Sequence, residues 1–398
     1  MLGYIVFFLL LVWGGVLGFY ARDLRRIWRE PVLRHPVLIV ESDDWGAGPV
    51  DAQAVALNDL SEILARHRDG TGRPAVMTLS MVLAVADGAA IRVDGNYHRR
   101  QLDDPLFAPV LDALKLGVER RVFALQLHGL EHYWPAALMA SADALVQDWL
   151  RGDFPPSTEK LPSPLQSRWV DASRLPSRPL APAMVDAAVG EEVRLYADLF
   201  GQRPAVAVPP TFVWTADVEQ AWSRQGIEFV VTPGLRSACR DATGLPGCDT
   251  EPFVSAQPGE GVTYLVRDDY FEPERGHRAE HALTALDRKW AEGRACLLET
   301  HRSNFLGDPL QARAYRLELD RLYTLARAKH PALRFLPTEA LGRAMRDRDP
   351  AWVESRWRRR LGAWLLRIRA LHGFWRCARI TGLSWVLLAT YGLSVSTS

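Results

Sequence analysis

A parallel α/β barrel is the fold class this sequence predicts, and three observations predict it. Apolar runs of strand length alternate with amphipathic stretches of helix length from residue 36 to about 347, the pattern of repeated βα units. Seven or eight such units are present, as many as a barrel needs. No glycine-rich phosphate loop follows the first run, which removes the main reason to prefer an open nucleotide-binding sheet.

Strands are expected near residues 37–42, 75–80, 122–128, 205–209, 228–232, 262–267, 295–301 and 333–336. The clearest helices are expected over 51–67, 104–119, 184–200, 216–225, 280–292 and 310–329, several with Asp or Thr at the N-cap. Residues 152–182 hold seven prolines and little periodicity. They read as an irregular insertion draped over the rim of the barrel, inside a catalytic unit of residues 31–347.

The two ends of the chain have a different character. Residues 2–20 carry no charge and Arg22, Arg25, Arg26 and Arg29 follow at once, so residues 1–30 read as a transmembrane anchor with a basic flank. The positive-inside rule places the chain beyond it on the cytoplasmic face of the inner membrane, with a cleaved or uncleaved export signal as the alternative reading. Eight arginines and one glutamate lie after residue 349, so the rest of the chain carries −6 against a total of +1. Residues 348–398 read as a basic, membrane-associating tail: Trp357, Leu361, Trp364, Leu365, Ile368 and Leu371 recur at helical spacing, and the uncharged run 380–395 follows. The 48% apolar content excludes disorder and a disulfide scaffold. Cys239 and Cys248 share one loop and are candidates to pair. The expected partners are a membrane and a carbohydrate or lipid-linked glycan, with polysaccharide-assembly proteins as further candidates and nucleic acid not among them.

Chemistry is expected where strands exit. Asp43 and Asp44 end the first apolar run, His128 and His132 the third, Pro209 and Pro210 the fourth, Asp268 and Asp269 the sixth, and His301 the seventh. Adjacent buried carboxylates repel unless a cation or proton relieves them, and two imidazoles supply further donors. The set therefore calls for one divalent metal, zinc first, with cobalt, manganese, iron or nickel as alternatives.

Ser42-Asp43-Asp44-Trp45-Gly46 resembles the first motif of the polysaccharide deacetylase superfamily, and His128-Gly129-Leu130-Glu131-His132 resembles its second. The resemblance spans about residues 36–340 and implies a distorted (β/α)7–8 barrel. It implies Asp43 as catalytic base, Asp44, His128 and His132 as metal ligands, and His301 as catalytic acid. The activity implied is removal of an acetyl or formyl group from an amino sugar. The third motif's arginine is missing from Val206–Trp214, so Arg267 and Arg302 are the candidates to support Asp43. Gly129 stands where Ser or Thr is common. Asp268 or Asp269 is expected to orient His301. Trp45, Glu131, Pro210, Trp214 and Arg302 are expected around the substrate or behind the ligands, with Trp45 and Phe305 as rim aromatics for stacking on a sugar.

Three alternatives stand beside this reading. His128-x-x-Glu131-His132 matches an inverted zinc-peptidase signature, which requires a helix. Paired carboxylates on a related barrel suit glycoside cleavage. A catalytically degenerate subunit of a polysaccharide assembly complex is the third.

Overall fold

The computed structural model describes residues 2–152, 156–249 and 252–395. Its centre is a parallel sheet of nine strands: β1 (Val37–Gly46), β2 (Met77–Val82), β3 (Phe123–Leu127), β4 (Val206–Ala207), β5 (Phe229–Thr232), β6 (Thr263–Val266), β7 (Asp269–Tyr270), β8 (Cys296–His301) and β9 (Arg334–Phe335). All eight expected strands are present. The two-residue β7 is additional, too short to register as an apolar run.

The strand order is β6-β5-β4-β3-β2-β1-β8-β7, with β9 paired to the start of β1. The two ends of this path, β6 and β7, are separated in sequence only by Arg267 and Asp268. So short a link holds the edges within about 10 Å, so the sheet must curl on itself. The result is a curled, barrel-like sheet with an unpaired seam between β6 and β7, which fits the expected distorted barrel.

Parallel strands covered on both faces read as apolar runs, as Val37–Val40 does, and all ten residues of β1 are buried. Alternation then divides them. Leu38 and Val40 pack outward with Met77, Leu79 and Leu298 beneath the helices. Val37 and Ile39 face a lumen filled by Val206, Phe229, Val231, Leu265 and Leu297. The next inward positions of β1, Glu41 and Asp43, make this lumen charged toward its C-terminal mouth.

α1 (Leu2–Phe19) and α2 (Ala21–Arg29) precede the barrel, and the helices covering it include α3 (Val50–Arg66), α4 (Ala108–Glu119), α5 (Pro182–Phe200), α6 (Ala216–Gln225), α7 (Ala279–Ala291) and α8 (Pro309–Lys329). In α5, Pro182 occupies the first turn and Gly201 ends the helix at φ +71°. Its buried Val185, Ala188, Val189, Glu192, Val193 and Tyr196 recur at helical spacing, which sets the face turned to the sheet.

The ends of the chain meet. α10 (Trp357–Arg367), α11 (His372–Ile380) and α12 (Leu383–Val395), with α9 (Thr338–Arg346) before them, are the last α-helices among the described residues. Leu24 and Ile27 of α2 pack with Leu365, Ile368, Phe374, Ala378 and Leu383, and Trp13 of α1 donates from Nε1 to Thr381 O at 2.9 Å. Arg367 is not on a basic outer face, as its spacing suggested. It is 1% exposed and donates to the carbonyls of Glu30, Pro31, Glu292 and Gly293 at 2.8–3.1 Å. Those carbonyls precede β1 and β8, so the helical module is fastened at the N-terminal end of the strands. Among the described residues no single helix is long and apolar enough to cross a membrane. α1 and α2 pass that test only as a pair, bent by 64°. Cys239 is disulfide-bonded, Cys296 and Cys377 are free thiols, and the side chain of Cys248 lies outside the described residues.

Candidate metal centre

Successive residues of a strand point to opposite faces, so two adjacent acids cannot both reach one site from regular β-structure. Here the register between β1 and β2 slips between Ser42 and Trp45, and Asp44 adopts φ +74°. Asp tolerates this left-handed region better than most residues, and the bulge turns both carboxylates to the mouth. The left-handed residue costs of order 1–3 kcal/mol, which the packed surroundings must offset.

His128 and His132 lie on the loop after β3. His128 donates from Nδ1 to Val208 O at 2.8 Å, which fixes the tautomer and leaves Nε2 bare. Gly129 has φ +114°, and a Cβ there would meet Glu131 O at 2.9 Å. A Ser or Thr is therefore excluded by backbone geometry. Asp44 Oδ1 lies 3.4 Å from His128 Nε2 and 3.2 Å from His132 Nε2. It is buried and no hydrogen-bond donor satisfies it.

Two donors each about 2.1 Å from one zinc ion at a tetrahedral angle are about 3.4 Å apart, and at a right angle about 3.0 Å. The observed separations fall in that interval, so the three residues fit a divalent cation. Burial pushes the His132 imidazole down to about 4, so it is neutral and offers a lone pair at pH 7. Burial opposes ionisation of Asp44, but the His132 and His128 imidazoles beside it outweigh burial and hold the carboxyl well below its ordinary range.

Arg267, at the barrel seam, supports Asp43. It donates from Nη1 and Nη2 to the two Asp43 oxygens at 3.0 and 2.6 Å and reaches Glu41 at 2.9 Å and Glu299 at 3.1 Å, all without solvent exposure of its own. Ser80 Oγ donates to Asp43 Oδ1 at 2.5 Å and accepts from Gln126 Nε2 at 2.9 Å. Burial raises all three carboxyls. Only at Asp43 does Arg267 outweigh it and lower the value well below the ordinary range, while Glu41 and Glu299 remain raised.

His301 shares its Nδ1 proton with Glu272 Oε1 at 2.6 Å. Burial disfavours the imidazolium, but the Glu272 hydrogen bond and the charges of Asp44, Glu272 and Asp43 raise its pKa to about 10. It is protonated at neutral pH, with a quarter of its side chain exposed.

Several expected residues stand elsewhere. Asp268 pairs with Lys289 and Asp269 with Arg288, so neither orients His301. Arg302 pairs with Glu159 at 2.7 Å rather than with Asp43. Glu159 comes from the 152–182 insertion, which thereby does reach the site. Trp45 and Trp214 are fully buried, bonded to Ser42 and Glu219, and Phe305 is 1% exposed, so none is a rim platform. Glu131 is held by Arg168 and Arg99 at 2.5 and 3.0 Å in a buried ion cluster, and residues 128–134 form a loop. That excludes the helical zinc-peptidase geometry. Pro210 closes behind His128, next to the carbonyl of Val208 that accepts from it, and its Cγ would lie 3.7 Å from a Cβ on Gly129. Sequence reasoning missed Glu272, Ser80, Glu299 and Glu159. Arg267, the first residue past β6, obeys the strand-exit rule that located the others.

Glycosyl hydrolase family 57 matches residues 177–291, a segment containing Arg267 and Glu272 but none of Asp43, Asp44, His128, His132 or His301. No curated protein matches. Among solved structures, the chain is similar to a 4-alpha-glucanotransferase from Thermococcus litoralis at 11% identity and TM-score 0.41, covering 77% of this chain and 40% of that one. The present chain thus spans well under half of that enzyme. It is also similar to a family 4 carbohydrate esterase from Streptomyces lividans in complex with acetate, at 12% identity and TM-score 0.37 over 78% and 96% of the two chains. A peptidoglycan deacetylase from Bacillus subtilis is similar at 9% identity and TM-score 0.36, over 79% and 94%.

Proposed function

We propose that the chain is a metal-dependent carbohydrate deacylase that removes an acetyl or formyl group from an amino sugar of a polysaccharide or lipid-linked glycan at a membrane. The observation that carries this reading is the meeting of Asp44, His128 and His132 at coordination spacing between an Arg267-held carboxylate and a Glu272-held imidazolium. Acyl transfer to water needs a Lewis acid, a proton acceptor and a proton donor within one pocket.

Asp44, His128 and His132 would hold a divalent cation, which would supply Lewis acidity toward an acyl oxygen and a water. Asp43 stays ionised and oriented on Arg267 and Ser80, ready to accept a proton on its remaining lone pairs. Its low basicity makes it an acceptor only for a strongly acidified donor. His301 carries a proton at Nε2 while Glu272 secures Nδ1, so it can deliver that proton to a departing amine. The assay is acetate or formate release from N-acyl sugars by protein depleted of metal and reloaded with zinc, cobalt or manganese. Asp44→Ala and His132→Ala serve as controls. Equal release by these variants and the wild type defeats the proposal.

The family 57 match favours a second reading, glycoside cleavage. New reducing ends without acyl release would select it, and a chain that takes up no metal and releases neither product would be a degenerate subunit.

Attachment to a membrane through the terminal helices is part of the proposal, with the barrel on the cytoplasmic side by the bias of Arg22, Arg25, Arg26 and Arg29. The bonded Cys239 favours an oxidising compartment instead. Thiol alkylation of intact cells against lysed ones separates the two placements.

A further inference from the structure

A groove of ≈ 930 Å³ runs between α2 and the loop Val254–Pro258 at the foot of α1. Arg22, Arg25, Arg26 and Arg29 recur at helical spacing along one face of α2, while Leu24 and Ile27 bury the other, so four guanidiniums line a single wall. Arg348 closes the end, held through Nη2 on the carbonyl of Arg29 at 2.6 Å. Arg26 pairs with Asp23, but among the described residues no carboxylate pairs with Arg25, Arg29 or Arg348. Glu30, the one acid lining the groove, is already neutralised by Arg294 at 2.7 Å. The groove is therefore strongly positive.

We propose that it seats the phosphate of an anionic phospholipid headgroup. The neighbourhood selects a lipid over a soluble anion: directly above the stripe, α1 exposes Ile5, Phe7, Phe8, Leu10 and Leu11, and the 64° bend to α2 lays the arginines out where that apolar surface ends. A basic stripe at the end of an apolar helix matches the border between acyl chains and phosphates, and guanidinium forks fit phosphate oxygens. This inference rests on membrane attachment and is independent of the deacylase chemistry.

The test is flotation of the full chain with vesicles of phosphatidylcholine alone or mixed with phosphatidylglycerol, for wild type and for Arg25→Gln/Arg29→Gln/Arg348→Gln. Wild type should prefer the anionic vesicles, and the triple variant should lose roughly fivefold per arginine, about 100-fold in all. It should still bind neutral vesicles like wild type, because the apolar helices are untouched. Single Arg25→Gln and Arg29→Gln changes, both at exposed positions, give the same answer in smaller steps should the triple variant misfold. Equal partition of wild type into both vesicle types overturns the headgroup site, as does tight binding of inorganic phosphate without a bilayer. Failure of wild type to float with any vesicle overturns membrane attachment itself.

Discussion

Replacing Arg267 with Met removes the one cation among three buried carboxyls. Its contacts with Asp43, Glu41 and Glu299 span 2.6–3.1 Å. A pair at about 3 Å attracts by about 5–6 kcal/mol at an effective dielectric of about 20. Removing one partner of a buried pair typically costs about 3–5 kcal/mol, equivalent to about 2–4 pKa units on the groups left behind. In the wild type the Asp43 value is depressed, so its contribution to stability is present above the unfolded value of about 3.9 and is lost as pH falls toward the folded value. Without Arg267, burial is opposed only by the His128 and His301 imidazoles and the Ser80 hydroxyl, and Asp43 holds its proton to higher pH. The acid limb of the deacylation profile should move up by about 2–4 units, and the urea midpoint at pH 7 should fall. Arg267→Lys keeps the charge but loses the fork and should lie between. An Arg267→Met variant with unchanged profile and midpoint would refute the assignment of Asp43's support to this residue.

The remaining predictions concern other parts of the site. Glu272→Gln removes the anion that sustains the imidazolium, so the alkaline limb, set by a His301 value near 10, should move to lower pH. The reason is that the protonated form is the active one and is lost as pH rises through its pKa. His301→Asn should lower the rate by about 10² to 10⁴ while metal content, read by elemental analysis, stays at the wild-type level. Asp44→Ala should do the reverse, abolishing bound metal together with activity. Gly129→Ala forces a side chain into φ +114° and against Glu131 O, so it should destabilise the chain by about 1–3 kcal/mol in urea unfolding and disturb both histidines. Arg367→Met should release the C-terminal helices, seen as new proteolytic cleavage between residues 347 and 372 without loss of metal.

The strands and most helices were legible because parallel strands are apolar on both faces and amphipathic helices repeat every three to four residues. The observed helix α6 has the expected bounds, and α3, α5, α7 and α8 shift by one or two residues. Asp43, Asp44, His128, His132 and His301 were legible because strand exits collect chemistry. Three things were not. The seam between β6 and β7 depends on pairing that no local pattern encodes. Trp45 and Trp214 sit beside the motifs yet satisfy their indole N–H groups within the core, and adjacency in sequence carries no information on that choice. Glu272 lies in an irregular stretch, and only the curl of the sheet brings it to His301.

Arg367 fastens the terminal helices beneath the barrel, whereas Asp44 and its neighbours open at the other end. Val37 to Asp44 is seven steps of β1, about 23 Å of strand, so with those helices on lipid the pocket looks away from the bilayer across roughly that distance. A sugar joined directly to its carrier phosphate could not bridge that distance. Under the proposed deacylase function, the residues trimmed would lie several units out along the glycan, and preference should rise with oligomer length until the glycan spans the gap.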